Sequence, residues 1–349
     1  MNTSTNGKIG LQFIKPGTSF DFVSKQKYGV MISLALIIIS IVSLIAHKGP
    51  KYGVDFAGGT QMIVEFSNNI STGDVRSILK EYGINSAVVQ KFGDSTKHQF
   101  QIMINSIKGE ANNSIKKLSD KLSKSKATIL SIEMVGPKVS NELRTKALLA
   151  IFYSLLFITV YISGRFELKW IESGLISGAL ITAVYFLSIL NVSIPYLILT
   201  ALIISLGIFW YLDFRYAIGA IVALIHDVII TVGVFSILGI EFNLSIVAAL
   251  LTIIGYSLND TIIVFDRIRE NIKNATQTDT LTSIINKSIN ETLSRTILTS
   301  LTTLIAIIAL FVLGGGIIHA FSFAMLVGVF VGTYSSIFIA STLLIAWKK

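Results

Sequence analysis

The chain has 349 residues, of which 52% are apolar and only 14% are charged, and it contains no cysteine. This composition is typical of a polytopic membrane protein, and it excludes disulfides, thiol catalysis and cysteine–zinc sites. We attribute the net charge of +9 to Lys and Arg beside membrane spans, so we expect no nucleic-acid partner.

The first 27 residues are polar, and we predict a cytoplasmic N-terminal segment over 1–27. The apolar run at 28–46 is long enough for a first transmembrane helix. Lysines precede this run, and the positive-inside rule therefore places the N-terminus inside. Leu44 and Ala46 form a poor small-x-small cleavage site, so we expect the span to be retained rather than removed as a signal peptide.

Residues 47–140 form a long polar stretch, which we predict to be a ferredoxin-like α+β domain in the periplasm. Gly58 and Gly59 stand just before its first strand. There we predict a turn that needs residues without a Cβ, rather than a phosphate cradle, because no helix N-terminus follows the pair. The residue pattern predicts the order βαββαβ, with strands at 60–66, 87–92, 100–105 and 128–135 and helices at 72–82 and 110–124.

The remainder of the chain, residues 141–349, is predicted to be a bundle of helical spans. After a span at 146–163, two apolar runs are joined by four uncharged residues, which predicts an antiparallel hairpin within 168–213. A cytoplasmic loop is expected at 266–295. The hairpin helices are predicted at 171–190 and 195–212, and the other spans at 214–238, 243–265, 296–313 and 317–347.

Charged side chains inside the apolar spans are the candidate functional residues. A carboxylate within a spanning helix costs several kcal/mol unless it faces protein or water. Asp227, with His226 beside it, is expected near the middle of the bilayer, roughly 20 Å along its helix. Asp260 is expected nearer the inner side, on a polar helix face. This face is predicted to contain Thr252, Tyr256, Asn259, Asp260 and Ile263.

Arg295 begins the span after the loop and lies in line with Thr299, Thr302 and Thr303 at helical spacing. If this stripe faced Asp260, the carboxyl could alternate between a salt-bridged and a protonated state, which would make a proton relay. The structural alternatives are that Asp260 and Arg295 snorkel to the inner interface and that His226 is a hydrogen-bonded packing residue.

Several segments of the sequence resemble one known family. They read GVDFAGGT at 53–60, VGP at 135–137, ALIHDV at 223–228, GYSLNDT at 255–261, FDRIRE at 265–270, SRT at 294–296 and GTYSS at 332–336. Together they resemble the SecF family, membrane subunits of the SecDF protein-export complex within the RND superfamily. The resemblance implies an RND-type helical bundle and proton-driven protein export. It also implies that proton movement involves Asp260 of GYSLNDT and Arg295 of SRT.

The resemblance further implies partners and a location. These partners are SecD, YajC, the SecYEG channel with its motor SecA, and the unfolded polypeptide in transit. The location is the bacterial inner membrane, with both termini in the cytoplasm. We expect a translocase accessory subunit that is not an enzyme and has no cofactor or metal. The hairpin 168–213 departs from the family's six spans and is interpreted as an insertion that makes eight.

Two other functions are alternatives to this interpretation, and a purely structural scaffold is the simplest alternative. Half of an RND-type small-solute exporter would need a larger outer domain. An intramembrane aspartyl protease would use Asp227 and Asp260 as a dyad, but such a dyad shares one proton within a few ångströms, and the expected depths differ. No Ser-His-Asp spacing, P-loop or metal triad is found in the sequence.

Overall fold

The computed structural model describes residues 19–81, 84, 87–92, 98–104, 127–190 and 192–347. The helix predicted at 110–124 and most of the N-terminal segment lie outside the described residues. Within the described ranges, the protein is a small antiparallel sheet joined to a bundle of long apolar helices.

The elements follow one another along the chain with short connections. In order they are α1 (Gln26–Ala46), α2 (Val54–Ala57), β1 (Gly59–Phe66), α3 (Thr72–Glu81), β2 (Val88–Lys91), β3 (Gln99–Ile104), β4 (Ala127–Val135), α4 (Pro137–Ile162), α5 (Trp170–Ile189), α6 (Ile194–Tyr211), α7 (Arg215–Leu238), α8 (Leu244–Lys273), α9 (Leu281–Leu313), α10 (Gly316–Ser335) and α11 (Ser341–Ala346). Two π-helical turns, Ser163–Glu167 and Ser336–Ala340, follow α4 and α10. Within the described part of the chain, eight helical spans are long and apolar enough to cross a membrane, which confirms the predicted helical membrane bundle.

The four strands form one sheet in the order β2-β3-β1-β4, with every neighbouring pair antiparallel. This is the order of a ferredoxin-like sheet, as the sequence pattern predicts. One face buries Met62, Val64, Phe100 and Ile102 in the same cluster as Leu79 of α3. Alternate residues of each strand point to one face, so this apolar row is what holds the helix on the sheet.

The predicted glycine turn lies between α2 and β1. Gly58 has φ +73° and Gly59 has φ +129°, a region that residues with a Cβ rarely adopt. The turn directs the chain from the end of the first span into the sheet. We call the end of the bundle near the sheet the sheet end, and the opposite end the far end.

The predicted hairpin is present and consists of α5 and α6, which pack against α4. The shared core comprises Phe152, Leu156, Leu180, Val184, Leu197 and Ala201. At the far end, the rings of Trp210 and Trp347 lie 3.9 Å apart, and the indole of Trp347 donates to Asp213 at 2.5 Å. The hairpin is therefore anchored to the last helix as well as to α4.

The loop predicted at 266–295 is mostly helical, which corrects the sequence prediction. Helix α8 continues to Lys273 and α9 begins at Leu281, so only residues 274–280 lie between them. Ion pairs stabilise the extended ends, since Arg267 lies 3.2 Å from Glu270 and 3.6 Å from Glu291. These charges are spaced to face one another along and between two helices, so a polar sequence does not here mean a loop.

Candidate functional site

Two carboxylates are buried where α7, α8, α9 and α10 pack together. Asp227 on α7 and Asp260 on α8 are each only 1% exposed. We call Asp227, its hydrogen-bond partners His226, Ser257 and Ser335, and Ser33, which bonds His226, the Asp227 cluster. We call Asp260, Ser300 and Thr333 the Asp260 cluster. The two clusters differ in how far the carboxylate is hydrogen-bonded.

Both oxygens of Asp227 have partners. Oδ1 lies 2.9 Å from Nδ1 of His226, and Oδ2 accepts hydrogen bonds from Ser257 at 2.5 Å and Ser335 at 2.9 Å. These partners come from three different helices, α7, α8 and α10. A buried carboxylate with this many donors is well compensated for its loss of water. Asp227 therefore joins three helices at one point.

His226 extends this cluster to the first span. Its Nε2 lies 3.0 Å from the hydroxyl of Ser33 on α1, and Ser33 in turn lies 3.4 Å from the hydroxyl of Tyr334. Tyr334 donates a 2.5 Å hydrogen bond to the carbonyl of Gly29. Each ring nitrogen of His226 therefore has a hydrogen-bond partner, an arrangement that fits both a packing residue and a member of a proton relay.

Close helix packing is needed for this cluster to form. A Cβ at Gly332 would lie 2.8 Å from Cβ of Ser257 and 3.4 Å from Oδ2 of Asp227. Only a residue without a side chain lets α10 approach α8 this closely. One helical turn earlier, Gly328 accommodates Ile253 in the same way. Gly328 and Gly332 are four residues apart, the spacing of small residues that lets two membrane helices pack closely.

The Asp260 carboxylate is only partly hydrogen-bonded. Oδ2 accepts one long bond from Ser300 at 3.3 Å, and Ser300 lies 2.8 Å from the hydroxyl of Thr333. Oδ1 is buried and has no partner among the described residues. Elsewhere on the same two helices, the hydroxyls of Tyr256 and Thr296 are buried and have no hydrogen-bond partner in the described ranges; they lie one helical turn before Asp260 and Ser300, respectively. Such unpaired polar atoms are suited to a proton or to ordered water.

Arg295 and Asn259 lie at the surface of this chain rather than in its interior. No ion pair of Arg295 is found in the described part of the chain. The predicted polar face of α8 is therefore divided: Asp260 points inward, whereas Thr252 and Asn259 are exposed. Adjacent helical residues are about 100° apart, which is why Asn259 does not follow Asp260 into the core.

The exposed polar residues form a stripe on two neighbouring helices, which we call the Arg295 stripe. It consists of Thr252 and Asn259 on α8 and Arg295 and Thr302 on α9. Helices α8 and α9 pack against each other, and both are otherwise apolar over their spans. A charged group that faces lipid is costly, so such a stripe needs protein or water beside it.

The sequence pattern missed the hydroxyl residues that hold the two carboxylates. Ser257, Ser300, Thr333 and Ser335 are all within apolar spans, where a lone hydroxyl is usually bonded to its own helix. The available signal was their position close to or within the GYSLNDT, SRT and GTYSS segments. No hydrogen bond between Asp227 and Asp260 is found among the described residues.

Comparisons with known proteins agree with this architecture. The chain matches the family "Protein export membrane protein SecD/SecF, C-terminal" over residues 114–207 and 188–349, and the "SecD/SecF GG Motif" over residues 43–70. The glycine turn before β1 lies in the second family's match. The two ranges of the first match overlap within the α5–α6 hairpin, at residues 188–207.

Relatives are similar over nearly the whole chain. The protein translocase subunit SecF of Desulfurispirillum indicum is 38% identical, with 94% of this chain and 91% of that protein covered. The SecF of Magnetococcus marinus is 39% identical over 96% of this chain and 94% of that protein.

Solved structures show the same fold within a longer protein. The crystal structure of SecDF, a translocon-associated membrane protein from Thermus thermophilus, has a TM-score of 0.75 at 34% identity. A super-membrane-facing form of SecDF has a TM-score of 0.61. The match covers 95% of this chain but only 39% of the Thermus chain. With eight apolar spans and these relatives, the chain is a multi-pass membrane protein that belongs to the SecF family of protein translocase subunits.

Proposed function

We propose that this protein is a subunit of the protein-export machinery that uses the proton-motive force to promote polypeptide translocation, with Asp260 as the group that carries the proton. The observation that supports this most directly is the buried Oδ1 of Asp260, which has no hydrogen-bond partner among the described residues. A buried carboxylate with a single long hydrogen bond is held in place weakly, and it can change its protonation state without breaking a network.

The other predicted site residues take different roles in this proposal. Arg295 supplies a positive charge on α9, the helix that also carries Ser300, and movement of α9 would change how that charge acts on Asp260. Ser300 and Thr333 form a short hydroxyl path from the carboxylate to α10. Asp227 and His226 hold the helices together around this path. Asn259 lies in the Arg295 stripe.

The exposed Arg295 stripe supports the proposal that a partner protein covers it within the membrane. We propose SecD as this partner, because the Thermus relative is a single longer SecDF chain of which this chain matches 39%. A helix bundle that presents polar or acidic groups would remove the cost of placing Arg295 against lipid. SecYEG, SecA and YajC would complete the machinery.

The proposed orientation follows the distribution of basic residues. Under this proposal both termini lie in the cytoplasm and the sheet lies outside the bacterial inner membrane. The lysines before α1 and the basic far-end segments support this orientation. A charge that crosses the potential is worth about 2.3 kcal/mol per 100 mV. That energy is enough to bias a two-state motion of the sheet end relative to the bundle.

The experiment is export of a secretory protein into inverted membrane vesicles that contain either the parent chain or the Asp260→Asn variant. We expect the variant to assemble normally and to lose the gradient-driven part of export, since Asn cannot carry a proton. Ile272→Val, an exposed position of the same helix outside both aspartate clusters and the Arg295 stripe, is a control that should keep export. Undiminished export by Asp260→Asn, or stimulation that follows a sodium gradient instead, would contradict the proposal.

A further inference from the structure

The connection between α7 and α8, residues 239–243, joins the helix that carries Asp227 to the helix that carries Asp260. It contains one charged residue, Glu241. Although it lies in a connection at the end of the bundle, the Glu241 side chain is only 11% exposed. A carboxylate this poorly hydrated must be compensated by donors from elsewhere in the molecule.

The donors come from the sheet and from the segment before it. Nε2 of Gln90 donates to Oε1 of Glu241 at 3.0 Å, and Nε2 of Gln101 donates to Oε2 at 3.3 Å. Nζ of Lys51 lies 3.3 Å from Oε1. Gln90 and Gln101 are directly opposite each other on β2 and β3. One carboxylate thus joins two strands of the sheet to the connection between the aspartate helices.

A second set of contacts beside Glu241 depends on the backbone. The amide of Gly53 donates to the carbonyl of Phe242 at 2.9 Å, and the amide of Phe242 donates to the carbonyl of Lys51 at 2.7 Å. The carboxylate of Asp55 accepts from the amide of Leu244, the first residue of α8, at 2.8 Å. Because these bonds lie at the base of the domain, they can remain while the sheet tilts about them.

The sheet also touches the other connection at this end, between α9 and α10. The ring of Phe92, just after β2, fills the space that a side chain at Gly316 would occupy. Helix α9 carries Ser300 and α10 carries Thr333, so both connections contacted by the sheet lead to helices of the Asp260 cluster. The Phe92 contact is apolar and involves no charge. The Glu241 contact, in contrast, depends on the negative charge of a carboxylate.

We propose that Glu241 is a latch that holds the α/β domain against the connection between the two aspartate helices, and that the domain tilts when this latch opens. Two of its three donors are uncharged amides, and Lys51 is 40% exposed. Loss of the Glu241 charge therefore weakens all three contacts at once, because hydrogen bonds to a carboxylate are stronger than those to a neutral acceptor. The backbone pairing of Gly53 with Phe242 is the pivot.

Distance measurement between two spin labels tests this proposal on the full chain in its membrane complex with SecD. The chain has no native cysteine, so nitroxides can be attached at Arg76→Cys, exposed on α3, and at Leu313→Cys, which is 84% exposed at the end of α9. We expect one narrow distance distribution for the parent. Glu241→Gln and Glu241→Ala should broaden it and add a longer-distance population.

Glu65→Gln is the matched control, because Glu65 accepts a 2.6 Å bond from Gln99 within the sheet. It should leave the distribution narrow. An unchanged distribution in both Glu241 variants, or equal broadening in the Glu65 variant, would overturn the latch. The distance result does not depend on proton transport, so Asp260→Asn can lose export while the latch remains closed, and the two proposals can fail separately. Export is expected to fall several-fold in Glu241→Ala. Unchanged export in this variant would contradict a role of the latch in translocation.

Discussion

The Asp227 and Asp260 clusters each contain a carboxylate buried in an apolar bundle, but they differ in how many hydrogen bonds that carboxylate accepts. Asp227 receives hydrogen bonds at both oxygens from residues on three helices. Asp260 receives one bond of 3.3 Å, and its second oxygen has no partner among the described residues. A fully bonded carboxylate holds structure together, whereas a partly bonded one is ready to change state. The difference shows why depth in the membrane alone does not identify a proton carrier.

The largest expected effect is on function and comes from Asp260. The isosteric Asp260→Asn change should reduce export to the level seen without a proton gradient, because the carboxyl group proposed to carry the proton is lost. Stability in detergent should change little, since Asp260 has few bonds to lose. The loss of export is measured in vesicles with and without a gradient. The stability of the variant is measured by unfolding in mixed micelles. A large loss of stability in Asp260→Asn would mean that Asp260, like Asp227, holds the helices together.

The largest expected loss of stability comes from Asp227. Asp227→Ala leaves Ser257, Ser335 and His226 without their acceptor. We expect a cost of about 3 kcal/mol, since each buried hydrogen bond in a membrane bundle contributes about 0.6 to 1.7 kcal/mol. Denaturation by SDS titration measures it. A stable Asp227→Ala chain that loses only its response to the gradient would show that Asp227 carries a proton.

A smaller loss is expected when the approach of α10 to α8 is disturbed. In Gly332→Ala the new methyl group would lie 2.8 Å from Cβ of Ser257. Overpacking of this kind costs about 2 kcal/mol, and it should lengthen the bonds from Ser257 and Ser335 to Asp227. The same SDS titration measures it. Gly255→Ala is the control, because nothing lies within 4 Å of a Cβ at Gly255. Equal effects of the two variants would mean that close packing is not what forms the Asp227 cluster.

The smallest effect is expected from Ser300. Ser300→Ala removes the one donor to Asp260 found in the described residues, which should cost about 1 kcal/mol or less because that bond is long. Export should be slowed but should still respond to the gradient. A complete loss of the response, measured in the same vesicles, would make Ser300 an obligatory part of the proton path rather than a support for it.

The sequence predicted the spans, the sheet and the identity of the buried charges, because these depend on local patterns. Apolar runs of suitable length predict helices, and alternation predicts the strands around Met62 and Phe100. The hydrogen bonding of each carboxylate could not be predicted in this way. Ser257 and Ser335 lie 30 and 108 residues from Asp227 along the chain, so their contact depends on which helix faces meet. The same limit applies to Asn259, which is next to Asp260 in sequence but exposed.

Modification by dicyclohexylcarbodiimide tests the central claim most directly, because this apolar reagent reacts with protonated carboxyl groups within membranes. The parent chain in its membrane should be labelled at Asp260, with less labelling as the pH rises, while Asp227 remains unlabelled inside its hydrogen bonds. The Asp260→Asn change should abolish the labelling. In the parent chain, the loss of export should increase in step with the extent of labelling. Labelling of Asp227 in place of Asp260 would contradict the account.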